Sequence, residues 1–445
     1  MNTQKQYMNR RQFLRYTSLI AGTVAAAPSI VPATVFGQNA VSPGNKITMG
    51  AIGVGRMGRG DLREFLEFDD IQVVAVSDVD EWRIENARQQ VNNRYAERTD
   101  GSNAGCDGYV DYRELLTRDD IDAVLIATPE HWHALPAIDA AQSGKDIFLQ
   151  KPLTLTINEG KKVVKAVTAH KRMLQVGSQQ RSDRNFRFAC ELARNQRIGE
   201  LEAIHIGLPG DPGTTPQPVM NVPDALHYDR WLGQAPWHPY TEKRVHPHQS
   251  YSRPGWLRIQ DYTAGMITGW GAHHLDIARW GMEDIEEGII QVSGHADFPD
   301  NGLWNVHGEF GLEYVFPNDV KMTVASNSIN KQGVEFKGTE GSVYVRRGYL
   351  ETQPKSLSDT VILPEEIQLQ KSNSHKRDFV QSIRSRRDPV APVTEGHKSN
   401  ALCLIGYIAM QLSYPLQWDI SQERFQNSDE ANRMLSRSQR SPYYV

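Results

Sequence analysis

A glycine-rich turn behind an apolar run constrains the fold of this chain more than any other feature of its sequence. The turn lies between a β-rich run at 47–52 and a helical stretch at 57–65, and it reads Gly53-Val54-Gly55-Arg56-Met57-Gly58. Glycines at this spacing permit a tight bend and let the backbone approach a pyrophosphate, whose charge a helix N-terminus stabilises. Asp78 follows the next β-rich run, where a carboxylate accepts hydrogen bonds from an adenosine ribose and repels a 2′-phosphate. These features predict a dinucleotide site for NAD, with NADP disfavoured.

Short β-rich runs alternate with helical stretches from Lys46 to Gly177, which is typical of a parallel sheet with crossover helices. The predicted strands are 47–52, 71–77, a short one near Tyr109, 121–127, 146–149 and 173–176, with a polar helix at 80–94 and a loop at 93–108. Later runs are longer and alternate in polarity, at 201–208, 289–296, 306–316, 321–326, 334–336 and 342–345. The expected fold class is α/β, with an N-terminal Rossmann doubly wound sheet and a C-terminal α+β domain built on a large, mostly antiparallel open sheet.

A chain of 445 residues exceeds what one hydrophobic core usually organises, so we expect more than one domain. The sequence divides into a targeting segment at 1–40, an NAD-binding domain at 41–177, a substrate and oligomerisation domain at 178–420, and a polar C-terminal arm at 421–445. We expect the arm to be irregular and to lie across a neighbouring surface. The segment 209–260 is dense in Pro, Gly, Trp and His, and loops of that length in compact domains are usually functional.

The targeting segment carries two arginines ahead of a weakly apolar run. Arg10 and Arg11 precede residues 19–36, which are rich in Ala, Gly, Ser and Thr and include Pro28 and Pro32. This pattern indicates a twin-arginine signal, hence a periplasmic or otherwise exported protein with no membrane span after signal removal. An uncleaved single-span anchor and a basic amphipathic helix are the alternatives, but the prolines and the short run disfavour a span.

Charge balance and cysteine spacing exclude several classes of site. Lys and Arg number 49 against 53 for Asp and Glu, which leaves no overall field that would attract nucleic acid. The three cysteines are far apart and none belongs to a C-x-x-C pair, so we expect free thiols. His131-x-His133 and His246-x-His248 have metal-ligand spacing, but no carboxylate or cysteine pattern accompanies them, so no metal site is predicted.

Two motifs stand at the ends of predicted strands. The fourth strand leads into Thr128-Pro129-Glu130-His131-Trp132-His133, and the fifth leads into Gln150-Lys151-Pro152. Ligands of doubly wound folds bind at this carboxyl edge of the sheet. A lysine fixed there can donate to a substrate hydroxyl or carbonyl oxygen and lower the barrier to hydride transfer. The alternative for Lys151 is an ordinary solvated lysine.

Together these motifs resemble those of the Gfo/Idh/MocA family of sugar oxidoreductases, over nearly all of the chain beyond the targeting segment. The family's G-x-G-x-x-G, T-P-x-x-x-H and E-K-P correspond here to Gly53, Gly55 and Gly58, to Thr128, Pro129 and His133, and to Lys151 and Pro152. Gln150 departs from the family's glutamate, although its amide can still bond a ribose hydroxyl. The resemblance implies that NAD contacts these residues together with Arg56, Met57 and Asp78.

The family's second-domain signature, D-x-G-x-H-x-x-D, resembles the stretch from Gly269 to Asp276. His273 and Asp276 match, but Gly269 replaces an acid that family members often use to relay the substrate proton. The resemblance implies that Lys151 polarises the reacting oxygen and that His273 accepts its proton, which suits an unperturbed pKa of about 6.5. Asp276 shares a helical face with His273 and would orient the imidazole or bind a sugar hydroxyl. The alternative for His273 is a buried core histidine.

Three further side chains are candidates for substrate contact, and each has a structural alternative. Arg181 follows the sixth predicted strand and would contact cofactor or substrate, or else form an interdomain ion pair. Trp256 and Tyr262 offer aromatic faces of the kind that stack on sugar rings, or else they are buried structural aromatics.

The resemblance implies an exported NAD-dependent dehydrogenase that moves hydride between a carbohydrate ring hydroxyl, such as C3 of a glycoside, and a tightly held nicotinamide. Free NAD is expected to be scarce outside the cytoplasm, so the cofactor would stay bound and be recycled by a second substrate. Two alternatives stay open: an NAD-dependent glycosidase that works by transient oxidation and elimination, and a non-catalytic sugar-binding protein. Because the family usually pairs its subunits, the resemblance also implies a homo-oligomer.

Overall fold

Six short strands form a parallel sheet in the N-terminal half of the protein, whose computed structural model describes residues 45–98 and 105–445. They are β1 Ile47–Ile52, β2 Ile71–Ser77, β3 Asp107–Tyr109, β4 Ala123–Ile126, β5 Asp146–Leu149 and β6 Leu174–Val176. All neighbours pair in parallel in the order β3-β2-β1-β4-β5-β6, which confirms the doubly wound sheet. The predicted targeting segment at 1–40 lies outside the described residues.

Five helices accompany this sheet among the described residues: α1 Arg56–Phe65, α2 Glu81–Arg98, α3 Tyr112–Leu116, α4 Ala134–Gln142 and α5 Ile157–Ala169. The first of them, α1, begins at the glycine turn. The second, α2, continues to Arg98, so the loop predicted from residue 93 is wrong at its start. Ile84, Ala87 and Val91 recur at helical spacing and are buried, which anchors a helix whose remaining surface is polar.

A second sheet holds nine strands in the order β13-β12-β11-β7-β10-β9-β8-β14-β15. These are β7 Leu201–Leu208, β8 Ile289–Ala296, β9 Phe310–Val315, β10 Lys321–Ser326, β11 Gly333–Gly338, β12 Ser342–Arg346, β13 Tyr349–Gln353, β14 Leu416–Asp419 and β15 Arg424–Phe425. Strands β7 and β10 pair in parallel and the other described pairs are antiparallel, which confirms a mostly antiparallel sheet. The last three strands were not predicted, because they are short and lack an alternating apolar run.

The helices of this half are α6 Arg184–Arg194, α7 Tyr228–Leu232, α8 Met266–Gly269, α9 Gly271–Gly281, α10 His375–Ser385, α11 Val393–Leu412 and α12 Asp429–Arg433. Helix α11 is buried along most of its length and shares one hydrophobic core with the second sheet, through residues such as Ile405 and Leu312. Phe379 of α10 instead packs in the core of the first sheet. In the described part of the chain, no helix is both long and apolar enough to cross a membrane.

The C-terminal arm is more ordered than its polar composition predicts. It contains β15 and α12, because Phe425 and Ala431 are fully buried and anchor the chain at these points. The arm packs on its own chain: the Tyr443 ring lies 5.4 Å from that of Trp132, and Arg440 donates to the Gly233 carbonyl oxygen at 3.0 Å. The prediction of an irregular segment is therefore wrong for this part of the arm.

Candidate functional site

One cleft, open to solvent, is lined by the glycine turn, the ends of β4 and β5, and part of the 209–260 segment. Gly53 has a φ of 80°, and a Cβ there would lie 2.7 Å from the Thr128 nitrogen. A Cβ at Gly58 would lie only 1.9 Å from the Gly53 carbonyl oxygen. Both positions therefore require glycine, and the turn packs against the end of β4.

The start of α1 offers this cleft a site for an anion. The helix begins after Gly55 with no side-chain cap, and Gly55, Arg56 and Met57 line the cleft. Uncapped first-turn N–H groups and the positive end of the helix dipole fit a pyrophosphate. Asp78 also lines the cleft, and its Oδ2 accepts a hydrogen bond from the Val54 N–H at 2.9 Å. Burial raises the pKa of Asp78, an effect that the Arg83 charge opposes. The residues present thus fit a dinucleotide.

Part of the 209–260 segment lies against the Asp78 end of the cleft. His246 Nε2 is 2.9 Å from Asp80 Oδ2, so this histidine bonds a carboxylate. The Arg83 guanidinium donates to the Ser250 carbonyl oxygen at 3.0 Å. The Tyr251 ring centroid lies 4.5 Å from the Arg59 guanidinium carbon. The sequence predicted that this segment is functional but not which side chains it contacts.

Side chains at the ends of β4 and β5 hold the two motifs together. His133 has ring nitrogens 2.6 Å from the Pro152 carbonyl oxygen and 2.9 Å from that of Thr128. Burial lowers the pKa of His133 to about 4, although its bonds to the two carbonyl oxygens act in the opposite direction. Gln150 donates to Asp61 Oδ2 at 2.7 Å. Thr128, Pro129, His133 and Gln150 all line the cleft.

Lys151 lines the same cleft and reaches the second half of the chain. Its Nζ donates to the Gly269 carbonyl oxygen at 2.9 Å. Burial lowers the pKa of Lys151, while the charge of Glu130 acts in the opposite direction. This environment differs from the solvated surface that was the alternative.

Glu130 is a cleft residue that the sequence reasoning did not select. Its side chain lines the cleft, is 3% exposed, and accepts a hydrogen bond from Thr268 Oγ1 at 3.2 Å. Burial raises the pKa of Glu130 to about 7, although the Lys151 charge opposes this shift. Its place directly after Thr128-Pro129, at the ligand-binding edge of the sheet, is the signal that could have identified it.

His273 is buried near the lysine, and its acidity differs from the prediction. Burial lowers the pKa of His273 well below its ordinary value, and the charges of Lys151 and Arg347 add to this effect. The expectation of a pKa of about 6.5 is therefore wrong, because the ring is desolvated among cations. Its Nδ1 has no hydrogen-bond partner within the described part of the chain. The neighbouring His274 packs 5.5 Å from the Trp270 ring.

Of the four residues predicted to touch substrate, one lines the cleft and three are buried. Trp256 lines the cleft. Tyr262 is fully buried, 4.9 Å from the ring of Trp231, in an aromatic cluster against which Trp256 also packs. Arg181 and Asp276 form a bidentate ion pair with both N–O distances at 2.8 Å. The side chains of this pair are 3% and 2% exposed, so the structure gives it the geometry of an internal brace.

The histidine pair near β4 and the cysteines have ordinary internal partners. His131 Nε2 lies 3.1 Å from the Trp231 carbonyl oxygen. Cys106, Cys190 and Cys403 are buried free thiols. Among residues 45–98 and 105–445, no group of three or more potential metal ligands comes together.

Comparison with known proteins identifies both halves of the chain. Residues 47–178 match the Gfo/Idh/MocA model described as "Oxidoreductase family, NAD-binding Rossmann fold", and residues 211–445 match the model of the family's C-terminal alpha/beta domain. A glycosyl hydrolase family 109 protein of Shewanella pealeana is 29% identical over 223 residues, which are 45% of this chain and 46% of that protein. The myo-inositol 2-dehydrogenase of Thermotoga maritima is 27% identical over 181 residues, 41% of this chain and 50% of the relative. The chain thus spans about half the length of these curated relatives.

Solved structures share the fold over most of both chains. The WlbA dehydrogenase of Bordetella pertussis, in complex with NADH and UDP-GlcNAcA, aligns with a TM-score of 0.59 at 16% identity, covering 83% of this chain and 98% of its own. The aldose-aldose oxidoreductase of Caulobacter crescentus aligns with a TM-score of 0.59 at 16% identity, covering 83% and 99%. The glycine cradle, the two sheets and the two family models lead to one conclusion: this chain belongs to the Gfo/Idh/MocA oxidoreductase family and has an NAD-binding Rossmann domain.

Proposed function

We propose that this protein is an exported NAD-dependent oxidoreductase that oxidises a ring hydroxyl of a carbohydrate, such as C3 of a glycoside, or reduces the corresponding keto sugar. The observation that carries the proposal is the Lys151 ammonium, which lines the same cleft as the glycine cradle and donates to the Gly269 carbonyl oxygen. A relative named myo-inositol 2-dehydrogenase supports a cyclic polyhydroxylated substrate.

The cofactor, the cleft residues Lys151 and Trp256, and the buried His273 each have a distinct part in this reaction. Bound NAD⁺ supplies an acceptor for the carbon-bound hydrogen and its electron pair. Lys151 donates a hydrogen bond to the reacting oxygen, which stabilises the negative charge that develops as the O–H bond breaks. His273 is neutral because burial lowers its pKa, so a ring nitrogen is free to accept the proton. Trp256 offers its ring to the sugar from the wall of the cleft.

We further propose that NAD stays bound between turnovers and is regenerated by a second substrate. The support is the packing of His246 and Ser250 against Asp80 and Arg83, beside the predicted adenosine site. Export rests on Arg10 and Arg11 and the apolar run that follows. A fusion of residues 1–44 to a reporter should leave the cytoplasm of normal bacteria and stay inside cells that lack twin-arginine translocation.

Native mass spectrometry of the purified protein, followed by a screen of glycosides for cofactor reduction, tests the activity. We expect one NAD per chain, and accumulation of a keto sugar together with reduced cofactor. Lys151→Met should lower kcat by about a hundredfold or more, since a preorganised donor to an oxyanion contributes roughly that much. Lys165→Met, at an exposed position on α5, is the matched control and should change nothing. The enzyme proposal fails if Lys151→Met and His273→Ala leave every turnover unchanged, a result that a non-catalytic sugar-binding protein would give.

A second candidate, an NAD-dependent glycosidase, is favoured by the relatives named for glycosyl hydrolase family 109. One of them, the alpha-N-acetylgalactosaminidase of Shewanella oneidensis, is 29% identical over 214 residues. A glycosidase would release sugar from an artificial glycoside with no net change in the cofactor. Accumulation of reduced cofactor with a keto sugar would exclude it.

A further inference from the structure

Oxidation of a hydroxyl releases a proton that some group in the cleft must hold. His273 holds it poorly, because its pKa lies well below the ordinary value. A group suited to general acid–base work has a pKa near the operating pH. This inference rests on the proposed function, since it concerns the proton of that reaction.

Two consecutive residues of α8 connect a carboxyl group to the lysine ammonium. Thr268 donates from Oγ1 to Glu130 Oε2 at 3.2 Å, and the next residue, Gly269, accepts from Lys151 Nζ at 2.9 Å. Glu130 and Lys151 both line the cleft, although they come from the ends of different strands. The carboxyl and the ammonium therefore bind consecutive residues of one helix and line the same cleft.

We propose that Glu130 receives the proton that leaves the reacting hydroxyl and returns it in the reverse reaction. The carbon-bound hydrogen leaves with its electron pair to NAD⁺, and the O–H bond breaks with its proton going to His273. One proton is then delivered to the Glu130 carboxylate across the cleft that Lys151 also lines, and His273 returns to its neutral form. The products are a keto sugar, reduced cofactor and protonated Glu130, while the histidine and the lysine end as they began.

The cysteine, tyrosine and histidine side chains around Glu130 do not change their charge near pH 7, whereas Glu130 does. Cys403 and Tyr407 of α11 face it, but burial raises the pKa of the Cys403 thiol and raises that of Tyr407 to about 12, so both are neutral. On its own turn, burial lowers the pKa of His131 to about 3 and that of His133 to about 4. Lys151 is then the charge that acts on Glu130, whose own pKa lies at about 7.

The backbone at Gly269 has room for a substitute acid. A Cβ at Gly269 would meet only Met266 Sδ, at 3.8 Å, which is an ordinary van der Waals contact. An aspartate at this position would stand beside the carbonyl that binds Lys151. A gain-of-function variant is therefore available to test the proposal.

The first experiment is a ¹³C NMR titration of the full-length protein with labelled glutamate carboxyl groups. We expect one resonance that titrates near pH 7 and is absent from Glu130→Gln. Glu159→Gln is the matched control, because Glu159 is also a buried carboxyl with a raised pKa but caps α5. This readout needs no turnover, so it separates failure of the inference from failure of the proposed function. The resonance that Glu130→Gln lacks is that of Glu130. If this resonance titrates in the wild-type protein near the ordinary pKa of a glutamate, the inference is overturned.

The second experiment measures the pH dependence of kcat for oxidation of whichever glycoside the screen identifies. Wild-type activity should fall as the pH drops through about 7, because protonated Glu130 cannot accept the proton. Glu130→Gln should lower kcat by about a hundredfold and abolish the fall in activity below pH 7. The added change Gly269→Asp should restore kcat at least tenfold and introduce a new fall in activity at the pKa of the aspartate. Glu159→Gln should keep the wild-type fall in activity. The inference fails if folded Glu130→Gln keeps this fall, or if Gly269→Asp restores nothing.

Discussion

The ion pair between Arg181 and Asp276 gives the sharpest test of which motif residues hold the fold rather than the substrate. Both carboxylate oxygens accept from the guanidinium at 2.8 Å, and Ser399 donates to Oδ1 of Asp276 at 2.7 Å. Asp276→Asn keeps the shape but removes the charge. The guanidinium would then face the Val390 carbonyl oxygen at 3.3 Å and Glu395 at 3.5 Å.

Removal of one partner from a buried ion pair costs about 3–5 kcal/mol, because the other charge is left without compensation. Glu395 offsets part of that loss, so we expect Asp276→Asn to lower the free energy of unfolding by about 3 kcal/mol. Replacement of both partners, Arg181→Met with Asp276→Leu, should come within about 1 kcal/mol of wild type, since no buried charge remains. Glu395→Gln, at a side chain that is 25% exposed, should cost less than about 1 kcal/mol.

Urea unfolding at saturating NAD measures these free energies, and steady-state kinetics on the identified glycoside measure KM. For an internal brace, KM should stay within about twofold of wild type in Asp276→Asn at a temperature where the variant is folded. Unchanged stability together with a tenfold rise in KM would refute this reasoning and give Asp276 the sugar-binding role that its motif position implied.

Two further predictions concern the cofactor cradle. Gly58→Ala should lower NAD content and affinity at least about tenfold, because the added Cβ would lie 1.9 Å from the Gly53 carbonyl oxygen. Gly60→Ala is the control and should leave NAD binding unchanged, because an added Cβ there would have no atom within 4 Å. Calorimetric titration of cofactor-free protein measures this, and equal affinities in the two variants would contradict it. Asp78→Ser should shift the NADP-to-NAD affinity ratio toward NADP by about tenfold, or about 1.4 kcal/mol, since it removes a carboxylate that repels a 2′-phosphate. The same titration with both cofactors checks it, and an unchanged ratio would show that another group sets the preference.

Strand positions were predictable from the sequence where burial is uniform or strictly alternating. The bounds predicted for β1, β2, β5, β7, β8 and β10 agree with the structure, because each is a continuous or alternating apolar run between polar turns. Where pairing rather than burial defines a strand, the prediction failed. Strand β15 has two residues and exists because Trp418 and Asp419 of β14 pair with it.

The cofactor residues were predictable because glycine spacing and strand ends follow from backbone geometry alone. Electrostatic partners were not, since they come from positions far apart in the chain. Arg181 and Asp276 were candidates for substrate contact in the sequence, but the structure shows that they bind each other at 2.8 Å. Nothing in the sequence marks Ser399 as their neighbour. The pKa of His273 was mispredicted for the same reason, because desolvation and nearby cations depend on the folded surroundings.

The two departures from the family motif have a common physical explanation. Gln150 lacks the charge of the family's glutamate, but it donates to Asp61, whose Oδ1 pairs with the buried Lys376 at 2.8 Å. Gly269 lacks the family's acid, but its carbonyl binds Lys151, on which the Glu130 charge acts. A buried ammonium requires a nearby counter-charge, whichever strand or helix supplies it. The negative charge absent from two motif positions is therefore supplied from two others: Asp61 pairs with the buried Lys376, and the charge of Glu130 acts on Lys151.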